Sequence, residues 1–178
     1  MIAWVLCALF ARCEPVPVAA PVVTSEAATM AVSVPLVARW EGVKTTAYLD
    51  TIARPPVWTI CYGETEGVRQ GETRTMQQCE DGLRRGLVRY RNGIHVAFTD
   101  DTKATRLPPE RDAAFVSLSW NVGIAGVRTS TATRRLNAGD IRGACEALTW
   151  WDKAGGRQIR GLVNRRADEH RLCMKGVS

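Results

Sequence analysis

The hydrophobic periodicity of this 178-residue chain changes character twice, and those two changes limit the folds open to it. Up to Gly42 the pattern is helical: Ser33 is expected to cap a short helix running through Glu41, with Pro35 in its first turn and Gly42 ending it. Residues 45–49 (TTAYL) and 57–62 (VWTICY) are then β-branched and aromatic, separated by an Arg-Pro-Pro turn and closed by Gly63. They predict a small antiparallel sheet, with Trp58, Ile60 and Tyr62 on one face of the second strand and Val57, Thr59 and Cys61 on the other. From Thr75 the helical period returns, opened by a capping box of Thr75 and Gln78 and running to about Arg91. Pro108-Pro109 starts an apolar helix ending before Gly123, a short helix follows near 130–137, Asp140 caps another, and a basic helix closes the chain at about 160–173. The order predicts a two-lobed, mostly helical α+β fold, with a small antiparallel sheet in the N-lobe and a helical C-lobe.

Charge and cysteines narrow the class further. The net charge is +6, and setting aside Arg12, Glu14 and Glu26 leaves 23 basic against 16 acidic side chains. Such a surplus favours a polyanionic partner: nucleic acid, anionic lipid or an acidic cell wall. The basic residues are spread along the chain rather than clustered, so no nucleic-acid partner is expected. The six cysteines form no CxxC pair and there are two histidines, which argues against a zinc site, and no metal is expected. Four cysteines in the globular part suit either two disulfides and an oxidising compartment or four buried thiols.

Residues 1–35 read as a separate region from the folded part, 36–178. The apolar run MIAWVLCALFA rises only about 16 Å as a helix, roughly half a hydrocarbon core. Prolines at 15, 17, 21 and 35 oppose one continuous spanning helix. The segment is an export signal cleaved near Val18-Ala19-Ala20, a weak membrane anchor that later leaves the bilayer, or an unstructured tail.

The residues that could carry chemistry are Glu41, Asp50 and Thr59. Glu41 is placed at the last turn of its helix beside Trp40, and both surroundings disfavour the ionised carboxylate, as a proton donor needs. Asp50 lies where the first strand meets a polar corner, and Thr59 has a hydroxyl able to hold a water beside it. Two carboxylates in contrasting environments suit glycoside hydrolysis, in which one protonates the leaving oxygen and the other activates water. The alternative from spacing alone is a pair of ordinary surface charges.

The stretch WEGVKTTAYLD…PPVWTICYGET resembles the active-site segment of phage-type lysozymes, glycoside hydrolase family 24. The later NVGIAGVRTSTATRRLNAGDIRGACEAL and WWDKAGGRQIRGLVNRRADEHRLC resemble the lambdoid signal-arrest-release endolysins, so that the likeness covers about residues 36–175. The resemblance implies a lysozyme-like fold and an enzyme that needs no cofactor. Its substrate would be peptidoglycan glycan strands, cut at the β-1,4 bond between N-acetylmuramic acid and N-acetylglucosamine. Glu41 is then the catalytic acid, Asp50 the second carboxylate and Thr59 the residue that positions water. Related members act with inversion. Arg165 falls where family members carry an arginine paired with the catalytic glutamate, which would favour the ionised carboxylate and oppose the effects above; the alternative for Arg165 and Arg166 is a solvated basic face. Asn121 and Gly123 are further candidates for sugar contact, whereas Trp150 and Trp151 read as core.

All four cysteines of the folded part stand where those endolysins have them. Of the three possible pairings, Cys61–Cys79 and Cys145–Cys173 are expected, and Cys13 could exchange with Cys61 after membrane release. The implied setting is the periplasm of a Gram-negative host, with transient inner-membrane association through residues 1–35 and the enzyme acting as a monomer. Two departures stand out: eight residues separate Asp50 from Thr59 where about five are usual, and Glu64 replaces a frequent histidine. The rival functions are a lytic transglycosylase on the same bond and a non-catalytic cationic wall-binding protein.

Overall fold

A computed structural model describes residues 25–177, in which eight helices and two two-stranded sheets are arranged about the fourth helix. The first helix, α1, spans Glu26–Glu41. Ser25 caps it by accepting a hydrogen bond from the Ala28 amide at 3.1 Å, with Glu26 in the positive first turn. The start expected at Ser33 is therefore corrected: Ser33 is buried inside α1 and donates to the Thr29 carbonyl at 2.9 Å. Pro35 lies within the helix, on an exposed position. The carbonyl it leaves unpaired belongs to Ala31, which is also exposed, so water can take the missing donor's place. The boundary drawn between residues 35 and 36 falls inside α1. Residues 1–24 lie outside the described part, and with them the apolar run, the proposed cleavage site, Cys7 and Cys13.

Strands β1, Lys44–Asp50, and β2, Val57–Cys61, pair antiparallel with Tyr48 opposite Thr59 and Asp50 opposite Val57. The register shifts between Lys44 and Tyr48, and the free edge of β1 is met by the segment that follows the sheet. There Ala47 donates to the Glu72 carbonyl and Arg74 to the Thr45 carbonyl, both at 2.8 Å. The alternation expected along β2 breaks at Cys61, whose φ of 58° turns the strand. Ile60, Cys61 and Tyr62 consequently all go inside.

The capping box of Thr75 and Gln78 opens α2, Met76–His95, which runs four residues beyond the expected end. A six-residue helix α3, Asp100–Thr105, escaped the sequence reading because it is mostly polar and too short to show a period. Helix α4, Pro109–Val122, has every residue from Arg111 to Ser119 buried, and it packs against α1, α2 and the last helix. Its neighbours are the short α5 (Ile124–Arg128), α6 (Thr131–Asn137) and α7 (Ile141–Leu148), the last two capped by Ser130 and Asp140. A hairpin of β3 (Lys153–Ala154) and β4 (Arg157–Gln158) turns on Gly155 and Gly156, both at positive φ, as a two-residue turn of this hand requires. The closing helix α8 spans Arg160–Cys173. No helix among the described residues is long and apolar enough to cross a membrane.

The first turn of α4 holds a fully buried carboxylate, Asp112. Its Oδ2 accepts from Thr29 Oγ1 of α1 at 2.8 Å and from Arg91 Nε of α2 at 2.6 Å, and its Oδ1 lies 2.8 Å from His95 Nε2. Burial pushes the Asp112 carboxyl up, but the hydrogen bonds and charges of His95 and Arg91 more than reverse this and hold it below the usual carboxylate range. A carboxylate depressed by folding contributes stability that is present above its unfolded value and is lost as pH falls through the folded one. Asp112→Asn is expected to lower stability by about 3–5 kcal/mol at neutral pH, because it removes the carboxylate charge that Arg91 and His95 face in the interior. The loss should shrink below about pH 4, where the aspartate of the unfolded wild-type chain takes up a proton before the folded one does and the wild type loses the same stabilisation. Urea unfolding at pH 7 and pH 3 measures both; a loss equal at the two pH values would contradict the assignment.

Candidate active site

Glu41 is the last residue of α1, and Gly42, at φ 67°, turns the chain from it into β1. Its side chain is 26% exposed, and Oε1 accepts a hydrogen bond of 2.7 Å from Arg165 Nη1 of α8. The remaining arms of that guanidinium point inward: Nε donates to Glu169 Oε1 at 3.3 Å and Nη2 to the Ser117 carbonyl of α4 at 3.3 Å. Arg165 is 4% exposed and Arg166 1%, so the pair is not a solvated basic face. The group set against Glu41 is thus a guanidinium. Trp40 lines a surface hollow with Asn164, Ala167, Asp168 and Arg171 of α8, and the Arg39 guanidinium lies 5.3 Å from its ring centre.

Behind Arg165 sits Glu169, with no exposed surface. Its Oε1 accepts from Ser117 Oγ at 2.6 Å and from Arg166 Nη2 at 3.0 Å, and Arg166 Nε lies 2.8 Å from Oε2 without the alignment of a hydrogen bond. Burial raises the Glu169 carboxyl above the usual carboxylate range, and Arg166, Ser117 and Arg165 offset only part of the rise. An oxygen that accepts from three donors, two of them cationic, is used here as a carboxylate. Burial also lowers Arg166, with Glu169 opposing it. Neither Glu169 nor Ser117 was singled out in the sequence. The signal for Glu169 was its spacing of four from Arg165 and three from Arg166 on one helix face; Ser117, on another helix, gave none.

Asp50 and Thr59 are brought together by strand register. Asp50 pairs with Val57 and Tyr48 with Thr59, which puts all four side chains on one face of the sheet. Asp50 and Thr59 are diagonal neighbours, about 7–8 Å apart at Cα. Thr59 is 3% exposed, and its hydroxyl donates to the Val57 carbonyl at 3.3 Å. Asp50 Oδ1 accepts from the amides of Ile52 and Ala53, at 2.9 and 3.4 Å, and so closes the first turn of the loop. The extra length noted in the sequence lies in residues 51–56, outside the paired part.

Asn121 is exposed in the last turn of α4, and Gly123, at φ 88°, turns the chain into α5. Beside them Trp120 walls a cavity of about 330 Å³, shared with Tyr62, Arg85, Gly86, Arg89 and Tyr90. A Cβ on Gly86 would come within 2.7 Å of the Trp120 ring, so the glycine is what admits the tryptophan. The cavity begins at Cys61, two residues past Thr59, but Glu41, Asp50 and Thr59 do not line it. Glu64, in place of a histidine, pairs with Arg74 at 2.7 Å, which also holds Glu72 at 2.8 Å. Trp150, expected in the core, is 57% exposed beneath Arg135, while Trp151 packs on the core against Gly126. The disulfides are Cys61–Cys79, joining β2 to α2, and Cys145–Cys173, joining α7 to α8. No cluster of metal-ligating side chains occurs among the described residues.

The phage lysozyme family model matches residues 38–169. The SAR-endolysin of Enterobacteria phage P21 is 37% identical over 137 residues, which is 76% of this chain and 78% of that protein. Among solved structures, the muramidase domain of SpmX from Asticaccaulis excentricus aligns with a TM-score of 0.68 at 27% identity, over 80% of this chain and 94% of that one. A variant of P22 lysozyme gives a TM-score of 0.69 at 26% identity over the same shares, 80% and 94%.

The Cys61–Cys79 bond ties the strand carrying Thr59 to α2 across 18 residues of sequence. Replacing both cysteines with serine is expected to reduce stability by about 3 kcal/mol through the freed unfolded chain. Thermal denaturation with and without reductant checks this; a double variant as stable as the oxidised parent would refute it.

Proposed function

The chain belongs to the phage lysozyme family, and from that membership we propose that it is an endolysin hydrolysing the β-1,4 bond between N-acetylmuramic acid and N-acetylglucosamine of peptidoglycan. Glu41 protonates the glycosidic oxygen as the bond to the anomeric carbon breaks. A water held by Thr59 attacks that carbon and gives its proton to Asp50. The chemistry balances as one water added for one glycosidic bond cleaved, with no other reactant. On this reading the carboxyls stand about 6.5–9.5 Å apart with the water between, as inversion requires. Asn121 and Gly123 contribute sugar contacts at the end of α4.

The observation that supports the reading best is the 2.7 Å contact between Glu41 and Arg165, 124 residues apart in sequence. A buried arginine aimed at one partly exposed glutamate marks that carboxyl out from the other acidic residues. The charge of +6 favours approach to an acidic wall. Several relatives carry the name SAR-endolysin, and in keeping with that name the residues ahead of α1, and not the whole of 1–35, serve here as the export signal or a weak inner-membrane tether. The enzyme then acts in the periplasm of a Gram-negative host and lyses it, as a monomer without a cofactor.

Glu41→Gln keeps an acceptor for Arg165 and removes the proton donor. On purified peptidoglycan it is expected to lower the rate by roughly 10²–10⁴-fold while leaving the melting temperature nearly unchanged. Mass analysis of wild-type digests should show reducing ends. Anhydro ends in their place would mean a transglycosylase, and undiminished lysis by the variant would mean a cationic wall-binding protein.

A further inference from the structure

The arginine that donates to Glu41 is itself anchored, and the anchor has no part in the chemistry above. Arg165 reaches Glu41 through Nη1 and turns Nε back to Glu169, 2.7 and 3.3 Å away. Glu169 is fixed in turn from α4 by the Ser117 hydroxyl at 2.6 Å and from its own helix by Arg166 at 3.0 Å. Arg166 donates its Nη1 to the Trp151 carbonyl at 3.4 Å, away from Glu41. The groups facing Glu169 are therefore Arg165 and Arg166 on α8 and Ser117 on α4, with Glu41 of α1 beyond Arg165.

We propose that Glu169 is a positioning residue for the reaction: it holds the Arg165 guanidinium on Glu41 and divides its positive charge between two carboxylates. The inference rests on Glu41 being the proton donor. Counting formal charges, Arg165, Arg166, Glu169 and an ionised Glu41 sum to zero, and a protonated Glu41 leaves one positive charge. Without the Glu169 carboxylate the same two states carry one and two. Protonating Glu41 then adds a charge to a site already positive, behind surfaces almost closed to water. Glu169 thereby offsets the positive charge that Arg165 presents to Glu41. The hydrogen bond from Ser117 fixes which way the carboxylate faces and so which arm of Arg165 is free to reach Glu41.

The test is the pH dependence of kcat and KM of the full-length protein on purified peptidoglycan, with reducing ends as the readout. Glu169→Gln should leave KM within about twofold and move the alkaline limb of the kcat profile down by about one pH unit, costing on the order of tenfold in rate on that limb. Glu169→Asp, which keeps the charge, should return the limb toward the wild-type position. Ser117→Ala loses one hydroxyl and serves where Glu169→Gln does not fold; it should lower kcat several-fold at unchanged KM. A uniform fall at every pH in Glu169→Gln would mean a merely structural carboxylate and overturn the inference, as would a folded Ser117→Ala with wild-type kcat. A wild-type enzyme that releases no reducing ends would sink the hydrolase reading itself, whereas active wild type with unmoved variants sinks only the role of Glu169.

Discussion

Helix α1 is held at both ends by buried charge, and the candidate site depends on that restraint. Near its start Thr29 donates to Asp112, and at its last residue Glu41 accepts from Arg165. The two points are twelve residues apart, about 18 Å along a helix. Both partners belong to clusters built on α4: Asp112 in its first turn, and Ser117 further along with Glu169 behind Arg165. A helix fixed at one end can pivot, whereas one fixed at both delivers its terminal carboxylate to a defined place. Gly42 then swings the chain into β1, so the same restraint sets where the sheet with Asp50 and Thr59 begins.

Buried ion pairs are a costly way to hold helices together, because each charge loses its hydration. Here much of the cost is met by hydrogen bonds: Asp112 has three partners and Oε1 of Glu169 also has three, while Oε2 of Glu169 faces Arg166 Nε through charge rather than an aligned bond. Apolar contacts alone would let α4 slide or rotate against α1 and α8 at little expense. Hydrogen-bonded charges do not allow this, since a shift of one residue would strand a guanidinium in the interior. The core of Met30, Val37, Phe115 and Leu118 supplies the burial, and the two clusters fix its register.

Much of the fold could be read from the sequence where the signal was local. The capping box at Thr75 and the last helix at Arg160–Cys173 are set by neighbours within a few residues. The start of α1 was misread because Ser33 followed by Pro35 looks like a cap and a first turn. Their true setting depends on solvent around Ala31 and on a carboxylate at position 112, both tertiary facts. The hairpin at Gly155-Gly156 was missed since strands of two residues carry no period. At the site, resemblance supplied Arg165, while local physics had offered only Trp40 and a helix end. Glu169 and Ser117 were invisible because the bond between them spans 52 residues.

The long turn after Asp50 illustrates how the site tolerates change. With about five residues between the aspartate and the threonine, a diagonal pair would be joined by a loop of about three; eight residues make it six, Thr51–Pro56. Strand pairing ends at Asp50 and Val57, so the six residues of the turn lie past the sheet while the diagonal of Asp50 and Thr59 lies within it. On the far side of Asp50 the carboxylate accepts from the amides of Ile52 and Ala53 within this turn. The candidate site is therefore fixed by strand register on one side and by buried charge on the other, and the turn of residues 51–56 lies outside both.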